Sequence, residues 1–134
     1  MYLMVDIAIN ALAATSYSLD ASALASDADG TLLFKDPSDF HTRCDISWGN
    51  HTSEQVCWLV TGDDDGGVAL LDLKTESDSV ASVLKDWVGG YVTEYRIDGF
   101  RIDASKHMSK KFQHDFCQAA GTFCMGEVAG DNTE

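Results

Sequence analysis

The chain has 134 residues, and 9 lysines and arginines stand against 22 aspartates and glutamates, so its formal net charge is −13. Hydrophobic residues make up 45% and aromatic residues 10%, which excludes a disordered chain and suffices for one ordinary domain. A chain this acidic should repel phosphate backbones and anionic headgroups, so we expect no nucleic-acid partner and no membrane partner. No apolar run approaches the roughly 18 to 20 residues that span a bilayer.

Residues 1–14 are mostly apolar, and Ala11-Leu12-Ala13 has the small-x-small pattern of a signal-peptidase site. No Lys or Arg precedes this stretch, and Asp6 and Asn10 interrupt it. A secretory signal instead has a basic start and an uninterrupted apolar middle of about 7 to 15 residues. We therefore find no convincing signal peptide in this chain and interpret residues 2–7 as a buried parallel strand.

Residues 11–72 show no sustained helical or strand period, which predicts a loop-rich region. Cys44 and Cys57 bracket a short stretch that contains the N-glycosylation acceptor Asn50-His51-Thr52. Together they favour an oxidising, extracellular setting with a short disulfide loop. The run Asp63-Asp64-Asp65 predicts a solvated turn, because adjacent carboxylates lack the spaced ligands of a calcium loop.

The pattern becomes regular after Asp72. Residues 79–88 place apolar side chains at i, i+3, i+4, i+7 and i+8, which predicts a helix that Gly89-Gly90 ends. A strand over 99–103, a helix over 106–120 closed by Gly121, and a strand over 122–128 follow. This order predicts an α/β fold with βαβ units and a parallel sheet, whose chemistry is expected at the carboxyl ends of the strands.

Charged residues stand at two of those strand ends. Period two sends Gly99, Arg101 and Asp103 to one face, where the guanidinium favours an ionised Asp103. An arbitrary Arg-x-Asp is more often a structural ion pair, but Glu127 also follows an apolar strand. Neighbouring parallel strands lie about 4.8 Å apart, so Asp103 and Glu127 could face each other at about 5 to 5.5 Å, the separation of a retaining glycosidase pair.

The segment Tyr-Arg-Ile-Asp-Gly-Phe-Arg-Ile-Asp-Ala-Ser-Lys-His at residues 95–107 resembles the nucleophile motif of the α-amylase family of glycoside hydrolases, family 13. Gly126-Glu127-Val128 is similar to the family's general-acid motif, and residues 5–10 to its first motif, at the end of the third barrel strand. The residues around Cys44, Cys57-Trp58-Leu59 and Leu71-Asp72-Leu73 resemble secreted fungal α-amylases in particular.

The resemblance implies a retaining hydrolase that cleaves α-1,4-glucosidic bonds of starch or another α-glucan. Asp103 would attack the anomeric carbon, and Glu127 would protonate the glycosidic oxygen and later activate water. Arg101 would position the nucleophile and keep it ionised. Lys106 and His107 would contact sugar on the leaving-group side.

The same resemblance implies a structural Ca²⁺, held by the side chains of Asn10 and Asp72 and the backbone carbonyl of His107. A further ligand is expected two residues before the second cysteine of the disulfide. Gln55 occupies that position and Glu54 stands one step away, so this ligand is left open.

The cysteines are also interpreted from the resemblance. Cys44 and Cys57 match the family's disulfide in the small domain that follows the third strand. Cys124 is expected to be a buried free thiol, and Cys117 has no assigned partner.

The implied fold is a partial (β/α)8 TIM barrel, about strands 3 to 5, with an inserted loop-rich small domain. Residues 1–10 would form barrel strand 3, residues 11–73 the inserted domain, and residues 74–134 barrel helix 3, strand 4, helix 4 and strand 5. A barrel of this class needs about 250 residues to close. We therefore expect the chain to be inactive alone and to pair with missing barrel segments of the same protein.

Two departures from the family pattern support other hypotheses. Ala11 stands where the first motif has a sugar-binding histidine, a loss of about 1 to 3 kcal/mol in transition-state binding. The family's third carboxylate has no counterpart in these residues. A degenerate, non-catalytic carbohydrate-binding or interaction protein is therefore the alternative, and an acidic, secreted calcium-binding module is a third hypothesis.

Overall fold

A computed structural model describes residues 1–14, 33–60 and 69–129. The strands are β1 Met4–Ile7, β2 Ala11–Ala14, β3 Ala69–Asp72, β4 Gly99–Ile102 and β5 Phe123–Gly126. The α-helices are α1 His51–Val56, α2 Asp78–Tyr95 and α3 Lys110–Ala120, and 3-10 turns cover Pro37–Asp39 and Ser105–His107. The acidic run predicted as a solvated turn, residues 63–65, lies outside the described residues.

The main sheet is parallel, with strand order β1-β4-β5. Its register pairs Asp6 with Arg101, and Arg101 with Met125. Phe100 and Ile102 are buried, as period two predicts, so the opposite face of β4 carries Arg101. The predicted parallel strands at β1, β4 and β5 are confirmed. The predicted burial of β1 is wrong, because no residue of this strand is fully buried and Met4 is 49% exposed.

Helices α2 and α3 pack against each other and cover the buried face of this sheet. Of the five apolar residues that the helical period places on one side of α2, Val80, Leu84 and Val88 are buried and Trp87 packs against the core. Val83 is 36% exposed, so the prediction is wrong at that position. Phe112, Phe116 and Ala120 of α3 are buried in the same core as Phe100. In the described part of the chain, no helix is long and apolar enough to cross a membrane.

The predicted end of α2 at Gly89-Gly90 is wrong, because the helix continues to Tyr95. Glycine weakens a helix interior without forbidding it. A Cβ at Gly89 would lie 3.7 Å from the carbonyl oxygen of Ala119 in α3, so the helices pack closely at this point. The helix instead ends at Arg96, which adopts the left-handed conformation with φ 52°.

The predicted start of the next helix at residue 106 is also wrong. Ala104 has φ 49° and opens a 3-10 turn, and the α-helix begins only after Ser109. The Ser109 side chain caps α3 by accepting a hydrogen bond of 3.2 Å from the Phe112 backbone N–H. The predicted end at Gly121 is confirmed, since this residue caps the helix with φ 63°.

Where the structure describes residues 11–72, they hold only short elements joined by loops, but two of these elements are strands that the sequence did not predict. β2 and β3 form an antiparallel two-stranded sheet that pairs Ala11 with Asp72 and Ala14 with Ala69. Helix α1 follows a loop that begins at His41. The buried Trp58, just after α1, contacts the start of this loop, because its Nε1 donates to the His41 carbonyl at 3.0 Å. These strands were not predicted because neither alternates apolar and polar residues and their partners are far apart in sequence.

Candidate active site

The guanidinium of Arg101 lies at the centre of the polar face of the sheet. Its Nη1 donates to both oxygens of Asp6, at 2.8 and 2.7 Å, and to Oδ1 of Asp103 at 2.9 Å. Its Nη2 lies 2.9 Å from Oε1 of Glu127. Three carboxylates from β1 and from the ends of β4 and β5 thus meet one cation. The hydrogen bond to Asp6 is the main cause that raises the pKa of Arg101.

Asp6 is the residue of this cluster that sequence reasoning missed. In the sequence it interrupts an apolar stretch, and we interpreted it as a mark against a signal peptide. Its partner Arg101 is 95 positions away along the chain. Period two within β1 was the available signal, because it places Asp6 on the opposite face from Val5 and Ile7.

Glu127 is held by backbone as well as by charge. Its Oε2 accepts a hydrogen bond of 3.2 Å from the Ala104 N–H, and its own N–H donates to the Ile102 carbonyl at 2.8 Å. The Ala104 hydrogen bond is the largest cause that lowers the pKa of Glu127, followed by a hydrogen bond with Asp103 and the charge of Arg101. The side chain is therefore an ionised carboxylate at neutral pH.

The end of β5 fits tightly against the turn that follows β4. A Cβ at Gly126 would lie 2.5 Å from Ser105 Oγ and 2.8 Å from its Cβ. Ser105 Oγ in turn donates to the Ile102 carbonyl at 3.0 Å. Only a glycine fits before Glu127, and this close approach brings the carboxylate to the end of β4.

Lys106 and His107 lie in the 3-10 turn beside Glu127, and both contact the loop before α1. The Lys106 Nζ pairs with Oε1 of Glu54 at 2.9 Å. The Trp48 ring lies 5.9 Å from that Nζ and meets the His107 ring edge-on, with centroids 5.9 Å apart. Trp48 is 66% exposed. Sequence reasoning missed Trp48, which lies in no motif, and it named Glu54 only as an alternative calcium ligand and not as the partner of Lys106.

Residues 1–123 match the family model described as "Alpha amylase, catalytic domain". The chain belongs to the α-amylase family. The α-amylase of Saccharomycopsis fibuligera is 41% identical over 129 residues, covering 96% of this chain and 24% of that protein. Alpha-amylase 1 of Lipomyces kononenkoae is 38% identical over 129 residues, covering 96% of this chain and 19% of the relative. The chain spans less than a quarter of the length of these curated relatives.

Solved α-amylase structures share the fold. The α-amylase of Malbranchea cinnamomea superposes with a TM-score of 0.82 at 36% identity, covering 98% of this chain and 26% of that one. The α-amylase of Geobacillus thermoleovorans, solved in complex with acarbose, gives 0.73 at 25% identity and covers 98% of this chain and 26% of that one. The expected partial TIM-barrel fold of the α-amylase family is therefore confirmed.

Asn10 and Asp72, two of the residues at which the α-amylase resemblance places calcium, are neighbours. Both are buried, and the pairing of β2 with β3 brings them together, with the Leu73 N–H donating to the Asn10 carbonyl at 2.7 Å. Burial is the largest cause that shifts the pKa of Asp72 and raises it to about 6. The hydrogen bond of 2.6 Å to His41 Nδ1 lowers this pKa but does not outweigh burial. Buried amide and carboxylate oxygens are suitable ligands for Ca²⁺.

The third expected calcium ligand, His107, contacts α1, the helix that precedes Cys57. Its Nδ1 lies 2.7 Å from the carbonyl oxygen of Glu54, so the 3-10 turn and α1 are linked here. Among residues 1–14, 33–60 and 69–129, no three His, Cys, Asp or Glu side chains cluster in a way that could hold a metal ion. A calcium site in this region would therefore depend on amide and backbone oxygens.

Cys44 and Cys57 form a disulfide, with Cα atoms 4.8 Å apart. Cys117 and Cys124 are free thiols, and both are partly buried against the core rather than fully buried. Burial, followed by the neighbouring Cys117, raises the pKa of Cys124 to about 12. The acceptor Asn50 is exposed and caps α1, its Oδ1 accepting from the backbone N–H groups of residues 52 and 53.

Proposed function

We propose that these residues belong to the active site of a retaining α-amylase-type hydrolase that cleaves α-1,4 bonds of starch-like glucans. The observation that carries the proposal is the pair of carboxylates, Asp103 and Glu127, bound to one guanidinium at the ends of neighbouring parallel strands. Two carboxyl groups on one guanidinium suit a nucleophile and an acid acting on one bond. Membership of the α-amylase family supports the same reaction.

Asp103 is the proposed nucleophile. Its ion pair with Arg101 at 2.9 Å holds the carboxylate that would attack the anomeric carbon in place. Glu127 is the proposed acid in the first step and base in the second. Its lowered pKa suits the second step, in which a carboxylate takes a proton from water. The first step requires the protonated form, which desolvation by a bound glucan would favour.

Sugar units on the leaving-group side are proposed to meet Trp48, Lys106 and His107. Trp48 offers an exposed ring for the apolar face of a pyranose, and the Lys106 ammonium beside it offers a hydrogen-bond donor. The His107 ring lies edge-on to Trp48, which restrains its orientation.

A structural Ca²⁺ is proposed to be held by the side chains of Asn10 and Asp72 and the His107 carbonyl, with an oxygen from Gln55 or Glu54. When bound, it would supply a cross-link between the inserted region and the barrel. Under this proposal calcium raises the melting temperature, and an unmoved melting curve in a calcium titration would exclude it.

The remaining proposals concern which residues form each segment of the barrel, what covers the exposed face of the sheet, and secretion. Residues 1–10 are assigned to barrel strand 3, residues 11–73 to the inserted domain, and residues 74–134 to barrel helix 3 through strand 5. Met4, Phe123 and Met125 are exposed on the face that carries Arg101, so further segments of the same barrel are the proposed covering. The disulfide and the exposed acceptor Asn50 support secretion and glycosylation.

A non-catalytic carbohydrate-binding role is the second candidate. Ala11 supports it, because this residue begins β2 where the family motif has a sugar-binding histidine. A methyl group there donates no hydrogen bond to the reacting sugar. Retention of binding without hydrolysis would favour this candidate.

A chimera tests the proposed hydrolase. The matching segment of the Saccharomycopsis fibuligera α-amylase is replaced by these residues, and release of reducing sugar from soluble starch is measured. Asp103→Asn and Glu127→Gln should each lower kcat by a factor of about 1,000 or more, because each removes a group that forms or breaks a covalent bond.

Asp98→Asn is the matched control, since Asp98 precedes β4 at the opposite end of the strand and accepts from the Leu3 N–H at 2.7 Å. It should leave kcat unchanged. Hydrolysis that survives Asp103→Asn would refute the catalytic assignment. An inactive chimera that still binds glucan would favour the non-catalytic candidate, and an Ala11→His variant would then test the missing donor.

A further inference from the structure

Cys117 and Cys124 are free thiols with no part in the proposed reaction. Cys117 lies in the last turn of α3, where its carbonyl accepts the Gly121 N–H at 3.1 Å, and Cys124 is the second residue of β5. The chain between them holds only the end of α3, a short turn and the first residue of β5. The two cysteines therefore lie on either side of one tight connection.

The Cys124 side chain lies on the face of the sheet that the helices cover. Cys124 pairs in register with Phe100 of β4, and register neighbours in a parallel sheet point to the same face. Phe100 is fully buried in the core that α2 and α3 share with the sheet. The Cys124 Sγ donates to the Thr122 carbonyl at 3.9 Å, so the thiol is directed towards the turn that follows α3.

Cys117 lies on the side of α3 that is turned away from α2. The two helices approach each other at the Ala119 carbonyl oxygen, 3.7 Å from the Cβ position of Gly89. Cys117 precedes Ala119 by two positions, which is about 200° around the helix. In the strand order β1-β4-β5, α3 joins β4 to β5, so the side of α3 turned away from α2 lies over β5.

The two thiols are therefore direct neighbours. Both are partly buried against the same core, and the Cys117 thiol is a hydrogen-bonding partner of the Cys124 thiol. Both also stay partly exposed, so a small oxidant can reach them. A fold that holds two thiols in contact has already met the main geometric requirement of a disulfide.

We propose that Cys117 and Cys124 form a second disulfide when the chain meets a disulfide oxidant such as oxidised glutathione. The Cys117 thiolate attacks one sulfur of the oxidant, the S–S bond of the oxidant breaks, and one glutathione thiol leaves with the proton that Cys117 lost. The Cys124 thiolate then attacks Cys117 Sγ, the mixed disulfide breaks, and the second glutathione thiol leaves with the proton of Cys124. The protein loses two electrons and two protons, and the oxidant gains both.

This bond would cross-link α3 to β5. Within the described residues β5 pairs only with β4, and the proposed acid Glu127 follows β5 directly. The disulfide would therefore anchor the strand that carries this acid. The inference goes beyond the proposed hydrolysis and does not depend on it.

Peptide mass mapping of the 134-residue chain tests the inference. No Lys or Arg follows Lys111, so trypsin releases residues 112–134 as one peptide that holds both cysteines. Residues 44–74 form another tryptic peptide, which contains the Cys44–Cys57 disulfide and serves as the internal reference. The chain is equilibrated with oxidised and reduced glutathione at a ratio at which peptide 44–74 is oxidised, and the remaining thiols are alkylated with iodoacetamide.

We expect peptide 112–134 to carry no label and to be two hydrogen atoms lighter than its reduced form. This form should exceed the alkylated and glutathione-bound forms together by at least about 10-fold. Two alkylated cysteines, or glutathione adducts, in peptide 112–134 while peptide 44–74 is oxidised would overturn the inference.

Moving the thiol by one helical position provides the matched control. The double variant Cys117→Ser/Gln118→Cys keeps the number of cysteines, but it places the thiol at an exposed position of α3. Its disulfide with Cys124 should form at least about 10-fold less readily at the same glutathione ratio. Equal formation in the wild type and the double variant would overturn the inference, because proximity along the chain would then suffice.

Thermal melting measures the cross-link itself. The oxidised wild type should melt at least about 5 °C above oxidised Cys117→Ser, which keeps the Cys44–Cys57 disulfide and lacks the second one. The difference should disappear when both proteins are reduced with dithiothreitol. Equal Tm values of the two oxidised proteins would refute the anchoring of β5. No glucan is used, so a failed hydrolase and a failed disulfide are distinguishable.

Discussion

Alanine substitution at Gly90 should stabilise the chain. Gly90 lies inside α2, and a Cβ built on it meets nothing within 4 Å. Gly89 is similar, since its Cβ would lie 3.7 Å from the Ala119 carbonyl oxygen, an ordinary contact. Glycine costs about 1 kcal/mol relative to alanine in a helix interior. Gly90→Ala should therefore raise the free energy of unfolding by about 1 kcal/mol.

Urea denaturation followed by circular dichroism measures this change. For a chain of this length, about 1 kcal/mol corresponds to a rise in Tm of about 3 to 6 °C. The urea m value should stay the same, because the surface exposed on unfolding does not change. Gly89→Ala should give a similar or slightly smaller rise.

Gly121→Ala is the matched control with the opposite sign. Gly121 has φ 63° and open space around its Cβ position, so the substitution meets backbone strain without a steric clash. It should lower the free energy of unfolding by about 1 to 2 kcal/mol. A loss of stability in Gly90→Ala would refute the reasoning, because it would mean that the helix ends at Gly89-Gly90 with a left-handed residue.

Two further predictions follow from the site and the disulfide. The lowered pKa of Glu127 contributes stability that is present above its ordinary value of 4.5 and is lost as pH falls through the lower folded value. When Tm is measured from pH 6 downward, it should therefore fall less steeply in Glu127→Gln than in the wild type. Parallel Tm curves for the two proteins would contradict this. The Cys44–Cys57 disulfide closes a loop with a sequence separation of 13. Its reduction should lower the free energy of unfolding by about 3 kcal/mol and lower Tm by roughly 10 °C. An unchanged melting curve in dithiothreitol would show that the disulfide does not stabilise the fold.

The sequence predicted those parts of the fold whose signals are local. The apolar run of β1 and the period-two pattern of β4 each identify a strand without knowledge of its partner. Gly121 was a reliable end of α3, because no residue packed against it requires the helix to continue. The Gly89-Gly90 pair gave the same local signal and was overridden, since Tyr91 and Val92 beyond it still pack against the core.

The parts that escaped prediction depend on distant partners. β2 is paired with β3, almost sixty positions later in the sequence, and neither strand alternates apolar and polar residues. Asp6 and Arg101 meet only because β1 and β4 are adjacent. The burial of Glu54 has no sequence signal, because it follows from the packing of α1 against the 3-10 turn that carries Lys106 and His107. Family motifs identified Asp103 and Glu127 from the sequence, and the structure brings both of them to Arg101.

The cation shared by three carboxylates has a consequence for folding fidelity. Asp6, Arg101 and Glu127 come from three different strands, and a one-residue slip of any strand would turn its charged side chain to the apolar face. A misregistered sheet would then bury an unpaired charge against the helices, at a cost of several kcal/mol. The ion pairs of Arg101 therefore favour a single strand register, the one that brings the three carboxylates to one guanidinium.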